Sequence, residues 1–282
     1  MNTSTAAGFG DRFVLTLITD DPALARSGVM AGIDRIGLDL EIIGKNERQG
    51  GMGTRISAHD IDRLPLIRET IGDHPLFVRV NPIHEQSPEE VERVIGGGAT
   101  HVMLPYFHRP DEARRFADLV AGRATTVLLV ETAAALYFIE ELVCLPGIDE
   151  IHVGLTDLKL SMKIRSRFET LTSWMLERAS EIVHAVGLPL HVGGVARIDD
   201  ASLPIPSDLL NAQYPRLGAT GALVSRSFTS PVPTAQALTE SVRRFRESMN
   251  HWGAAGPEEW ELQRRALKQF VVDAAAEGRS LP

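Results

Sequence analysis

Residues 127–158 read VLLVETAAALYFIEELVCLPGIDEIHVGLTDL, and this stretch decides the fold. The apolar run Val127–Val130 stops at the acid Glu131. An amphipathic segment then leads to a second apolar run, Ile151–Val153, which stops at Gly154-Leu155-Thr156-Asp157. Two buried strands joined by a helix lie parallel, because a right-handed crossover returns the chain to the same sheet. Glu131 and Asp157 are therefore expected on one rim of that sheet, each just beyond the C-terminal end of a strand. Two carboxylates that converge need a proton, an amine or a cation between them. A hard divalent cation suits the pair, since Mg²⁺ prefers oxygen ligands, takes one or two protein carboxylates and keeps its other positions for water and substrate. A plainer reading also stands, with Glu131 a buried structural acid and Asp157 a helix cap.

Outward from this unit the same alternation repeats. Strands are expected at Phe13–Ile18, Ile36–Glu41, Leu76–Val80, His101–Leu104, Pro189–Val192 and Gly221–Val224. Between them the apolar spacing and start signals predict helices from Pro22 to Ala31, over 58–71 capped by Ser57, from Ser87-Pro88-Glu89-Glu90, and over Pro110–Val120. Further helices are expected over 168–185, near 208–214 and over 233–248. Eight strands alternating with helices, without a break in composition, predict a single (β/α)₈ TIM barrel across 1–250 in preference to a doubly wound open sheet. Charge at buried strand ends is unusual, and barrels place their chemistry there, which singles out Glu41, Arg79, Glu131, Asp157 and Arg226. His191 is expected inside the barrel. Residues 251–282 form an extension whose helix, 257–276, carries an apolar stripe of Trp260, Leu267, Phe270 and Val271. That stripe needs a surface, either a neighbouring subunit of a homo-oligomer or the barrel itself.

Composition narrows the function. The net charge of −8 argues against nucleic acid, and no apolar run reaches the roughly 20 residues needed to span a bilayer. The first residues show no secretory pattern, so a cytoplasmic location is expected. A single cysteine, Cys144, excludes an internal disulfide and a zinc cluster, and its apolar neighbours predict buried packing. The segment 42–57 (IIGKNERQGGMGTRIS) reads as a long loop, a possible lid bringing Arg48 or Arg55 to a substrate.

Several phrases together resemble the HpcH/HpaI aldolase and citrate lyase β-subunit superfamily: LDLE (38–41), FVRVN (77–81), GATHVMLP (98–105), LLVETAAAL (128–136) and IHVGLTDLKLSM (151–162). The resemblance implies a class II type aldolase, a carbon–carbon lyase that uses Mg²⁺ or Mn²⁺, with Co²⁺ an alternative, and works through the enolate of pyruvate or oxaloacetate. It implies Glu131 and Asp157 as metal ligands, Arg79 as the arginine at the keto or enolate oxygen, and Gly154 and Thr156 as backbone N–H donors to the carboxylate of a keto acid. Arg79 has a second reading, as a brace to Asp39 or Glu41. Asp39 and Glu41 share a strand face, and Glu41 is expected to be the working acid, orienting metal-bound water.

Two departures bear on the reaction. Members carry a histidine or an acid directly after the acid of the second strand, whereas Ile42 and Ile43 follow Glu41 here. Proton transfer would then fall to His59, His84, His108 or Lys45. The alternatives are oxaloacetate decarboxylation or condensation, an acyl-CoA lyase, and a retired barrel that binds a metabolite without turnover. Lys163, Arg165 and Arg167 follow the sixth-strand motif in place of its usual glycine, suggesting either a second anionic group on the substrate or a solvated helix entry.

Overall fold

The computed structural model describes residues 7–45, 59–200, 203–279 and 281. Eight parallel strands close in chain order: β1 (Val14–Ile18), β2 (Arg35–Asp39), β3 (Leu76–Arg79), β4 (His101–Leu104), β5 (Thr125–Val130), β6 (Glu150–Val153), β7 (Leu190–Val195) and β8 (Gly221–Val224). Pairing of Val14 with Gly221 joins β1 to β8 and rules out the open sheet. Alternate residues of a strand face opposite ways. Leu38, Val78, Val102 and Leu128 point outward into the core shared with the helices, while Phe77, Met103, Val127 and Leu129 form a separate plug inside the barrel.

Beneath that plug lies a charged layer. Arg35 donates to both carboxylate oxygens of Glu150 (3.0 and 2.8 Å), and His191 Nδ1 lies 2.9 Å from Glu150 Oε1. These residues stand near the N-terminal ends of β2, β6 and β7, the stability end of such a barrel. His191 is therefore interior, as expected, and belongs to this layer. Removing one partner of a buried ion pair leaves an uncompensated charge, so Glu150→Ala is expected to cost about 3–5 kcal/mol in a urea titration.

The same layer sets an acid limit. Burial, with help from Arg35, pushes His101 down to about 4, and burial pushes His152 down to about 3. Between those values and the ordinary 6.5 the unfolded chain binds protons that the folded chain refuses. Stability is thus expected to fall as pH drops through that window, and His101→Gln should flatten the dependence of the urea midpoint on pH.

The helices depart from expectation where caps intervene. The segment after β5 is two short helices, Ala133–Tyr137 and Ile139–Leu142, and the one after β6 begins at once as Leu155–Met162. The span 168–185 divides into Arg167–Leu171 and Trp174–Ala185, because Ser173 caps the second by accepting from Leu176 N–H. Cys144 is exposed rather than buried. It lies beyond the short helix that buries Leu142, in a turn that directs Val143 and Leu145 inward. Ser57 and most of the 42–57 segment, with Arg48 and Arg55, lie outside the described residues; the observed start is a 3₁₀ turn at Ile61–Arg63 capped by Asp60, followed by Leu64–Ile71.

The last barrel helix runs Ala235–Ala254, past the expected boundary at 250. The extension Pro257–Ala276 packs on its own barrel. Leu267, Val271 and Ala274 are buried, and its neighbours are Arg167–Leu171, Ser207–Asn211 and Gln213–Arg216. It thereby supports the outer side of segments that line the cleft described next.

Candidate active site

A cleft of about 780 Å³ opens at the C-terminal ends of the strands, lined among others by Asp39, Lys45, Arg79, Glu131, His152, Gly154, Thr156 and Asp157. Pairing of Val130 with Val153 puts Glu131 beside Gly154 at adjacent strand ends. Gly154 then serves as N-cap of Leu155–Met162, which makes Asp157 the third residue of that helix. The two carboxylates are 3% and 6% exposed, and Glu131 Oε1 accepts from the Tyr106 N–H at 3.1 Å. Asp157 lies inside the helix, so the expectation of a simple cap does not hold.

Gly154 has a different part from the one expected. Its N–H donates to the Val130 carbonyl at 3.0 Å and is spent on the barrel. What matters is its missing side chain: a Cβ there would stand 2.7 Å from Glu131 Oε2 and 2.8 Å from Glu131 Cβ. Gly154→Ala is therefore expected to push the Glu131 carboxylate aside, weakening Mg²⁺ binding about 10–100-fold in a calorimetric titration while the barrel still folds. Thr156, in the first helical turn, has an N–H without an intrahelical acceptor, a group suited to a carboxylate.

The second and third strands build the cationic wall. Arg79 is inward, and its Nε and Nη2 clasp Asp39 Oδ1 and Oδ2 at 2.8 and 2.6 Å. Nε is also 3.5 Å from Glu41. Among the described residues no hydrogen bond engages Arg79 Nη1. The brace reading of Arg79 thus holds geometrically and leaves one end of the guanidinium for a ligand. Asp39, Glu41 and Glu131 outweigh the burial of Arg79 and hold it charged, and Arg79 and Lys45 in turn hold the buried Asp39 well below the usual carboxylate range.

Glu41 was expected to be the working acid, yet Asp39 is the one that lines the cleft. β2 ends at Asp39, and Glu41, two residues further on and 1% exposed, is not part of the cleft lining. Glu41 instead helps position Lys45, whose Nζ sits 3.2 Å from Glu41 Oε2 and 2.8 Å from Asp39 Oδ2. Of the other proton carriers considered, His59 Nδ1 accepts from Asp39 N–H (3.1 Å), and His84 is drawn to Glu90 (3.2 Å). His84 and His108 do not line the cleft.

His152 is the residue that sequence reasoning missed. It occupies the inward position two residues before Gly154, and its Nε2 donates to the Gly193 carbonyl at 3.1 Å. That carbonyl is turned inward by a bulge in β7 where Gly193 adopts φ 54°, and a Cβ at Gly193 would strike Leu155 at 2.8 Å. The signal was the strict alternation Glu150, His152, Gly154 on one strand face.

Glu131 and Asp157 offer only oxygen donors, both buried, beside a glycine that leaves room for one of them. That set fits a hard cation of the Mg²⁺ kind, and no third His, Cys, Asp or Glu joins them among the described residues, which suits a cation that keeps open positions. No described helix is long and apolar enough to cross a membrane.

Known proteins agree with this architecture. No curated protein sequence matches the chain. Among solved structures, an HpcH/HpaI aldolase from Desulfitobacterium hafniense DCB-2 is 16% identical with a TM-score of 0.57, over 84% of this chain and 93% of that one. The citrate synthase SbnG is 15% identical with a TM-score of 0.60, over 84% and 94%. The citrate lyase β subunit from M. tuberculosis, complexed with oxaloacetate and magnesium, is 16% identical with a TM-score of 0.56, over 86% and 98%. At these identities the likeness is one of fold. The family model for HpcH/HpaI aldolase/citrate lyase matches residues 12–186, well over half of the chain, and the protein belongs to that family.

Proposed function

We propose that the protein is a divalent-metal-dependent carbon–carbon lyase acting on a 2-keto acid, with retro-aldol cleavage of a hydroxy-keto acid as its reaction. The observation that carries this is the convergence of Glu131, Asp157, Thr156 and one free edge of Arg79 on a single cleft. A divalent cation held by Glu131 and Asp157 would supply Lewis acidity to the keto group. Thr156 N–H takes the carboxylate, and Arg79 Nη1 meets the keto oxygen, where negative charge grows as the bond to C3 breaks. Clamped by Asp39, Arg79 is pre-organised for that charge and need not reorient during the reaction. The C4 hydroxyl gives its proton to a water in the cleft as it becomes the carbonyl of the departing aldehyde. The bonding pair left on C3 takes a proton from the Lys45 ammonium, and the amine regains one from that water. Asp39 and Glu41 hold that ammonium in place.

A second reading, decarboxylation of oxaloacetate, is favoured by one feature. Ile42 and Ile43 follow Glu41 where family members carry a histidine or an acid, and loss of CO₂ makes the enolate without a base at a hydroxyl group. The complex of the M. tuberculosis relative with oxaloacetate and magnesium supports testing it. Incubation with Mg²⁺ and either a 4-hydroxy-2-keto acid or oxaloacetate, following pyruvate and CO₂, separates the two. Pyruvate release from the hydroxy acid, stopped by EDTA, is expected. Mg²⁺ binding with no turnover of any keto acid would leave a retired binding barrel and defeat the enzymatic reading.

A further inference from the structure

The acids that line the cleft have assigned partners. Asp39 holds Arg79 and Lys45, Asp20 lies 3.6 Å from His59, Asp21 caps its own helix, and Glu131 with Asp157 forms the cation site. Two arginines in the same cleft have no such partner. Arg167, from the segment after β6, and Arg226, just past β8, both line it, and among the described residues neither side chain makes a salt bridge or hydrogen bond. Arg167 is half-buried, with its guanidinium 5.0 Å above the Phe168 ring, and Arg226 is near enough to oppose its charge. The buried Tyr214 beside Arg167 cannot neutralise it. Its hydroxyl donates to the Gly194 carbonyl at 3.2 Å, and burial raises its pKa, so it stays un-ionised. Lys163 and Arg165 differ from Arg167, being exposed and absent from the cleft lining.

Arg167 is half-buried and Arg226 exposed, but both line one cleft, and two like charges brought together there repel each other unless an anion joins them. Paired guanidinium groups suit the flat, multi-oxygen geometry of carboxylate or phosphate. We infer that Arg167 and Arg226 form a second anion subsite, which takes a carboxylate or phosphate carried by the part of the substrate remote from the keto acid. As an assignment of substrate class this rests on the keto-acid reading above; as an anion site it can be tested apart from it.

The probes are oxalate, a planar mimic of the pyruvate enolate, and inorganic phosphate. With Mg²⁺ and saturating oxalate in place, equilibrium dialysis should find one labelled phosphate bound per chain. Arg167→Ala and Arg226→Ala should each weaken it by about ten- to a hundredfold, the loss expected for a hydrogen bond to a charged group. Oxalate retention in the same samples reports an intact cleft; should Arg167→Ala lose both ligands by misfolding, the exposed Arg226 decides. Displacement of phosphate by succinate at lower concentration assigns the subsite to carboxylate, and resistance to succinate assigns it to phosphate. No phosphate binding by the oxalate-loaded protein, or binding indifferent to Arg226→Ala, overturns the inference. Failure of oxalate to bind with Mg²⁺ strikes the keto-acid reading instead, and phosphate is then titrated alone against the same variants.

Discussion

Glu131→Gln is expected to lower Mg²⁺-dependent turnover by at least about 10²–10³-fold, the scale seen when a charge-stabilising group is removed from an active site. Glutamine keeps the shape and can still accept from the Tyr106 N–H, so the loss isolates the charge. Asp157→Asn should do the same, and the double variant should be little worse than either alone, because one cation needs both carboxylates. Stability separates this from a structural role. A buried acid serving only the fold would cost stability when neutralised, whereas relieving two neighbouring carboxylates should leave the metal-free melting temperature unchanged or raised. A ligand that binds only the folded state raises that temperature, so the upward shift with added Mg²⁺ should vanish in both variants. Calorimetry and thermal melts with and without Mg²⁺ check both halves. A variant that melts early and still binds Mg²⁺ normally would return Glu131 to the role of structural acid.

The barrel was legible because its strands are buried on both faces, and buried parallel strands read as short apolar runs whatever their neighbours do. The carboxylate pair was legible for a related reason: acid immediately after Val130 and four residues after Val153 has no use in a core. Matters set by side-chain direction beyond the strand ends were not legible. Asp39 and Glu41 do face the same cations, Lys45 and Arg79, but β2 stops at Asp39, and of the two only Asp39 reaches the cleft lining. Gly154 as a donor came from the family resemblance, which carries no register; only the β5–β6 pairing shows that hydrogen bond already made. The stripe of the last helix was legible as apolar. That it covers the helices behind Arg167 and Tyr214 follows from a path that no local pattern encodes.

Lys45→Arg is expected to separate charge from proton transfer. Arginine keeps a cation between Asp39 and Glu41, so the buried acids remain compensated and the fold is maintained, but a guanidinium cannot give up its proton under these conditions. If Lys45 carries the proton to C3, turnover should fall by about 10²–10⁴-fold, the usual contribution of a positioned acid or base. Exchange of the pyruvate methyl hydrogens in D₂O should fall with it, since that reaction is the same proton transfer run in reverse and needs no second substrate. Oxalate and Mg²⁺ should still bind, because neither touches Nζ in this scheme. Lys45→Met makes the complementary point. It removes the charge as well and leaves Asp39 and Glu41 with one cation fewer, so stability should fall together with exchange, by about 3–5 kcal/mol for a broken buried pair. Exchange at the normal rate in Lys45→Arg would show that the proton reaches C3 by another route. The neutral histidine nearest that role by position is then His152, whose Nε2 is already held by Gly193.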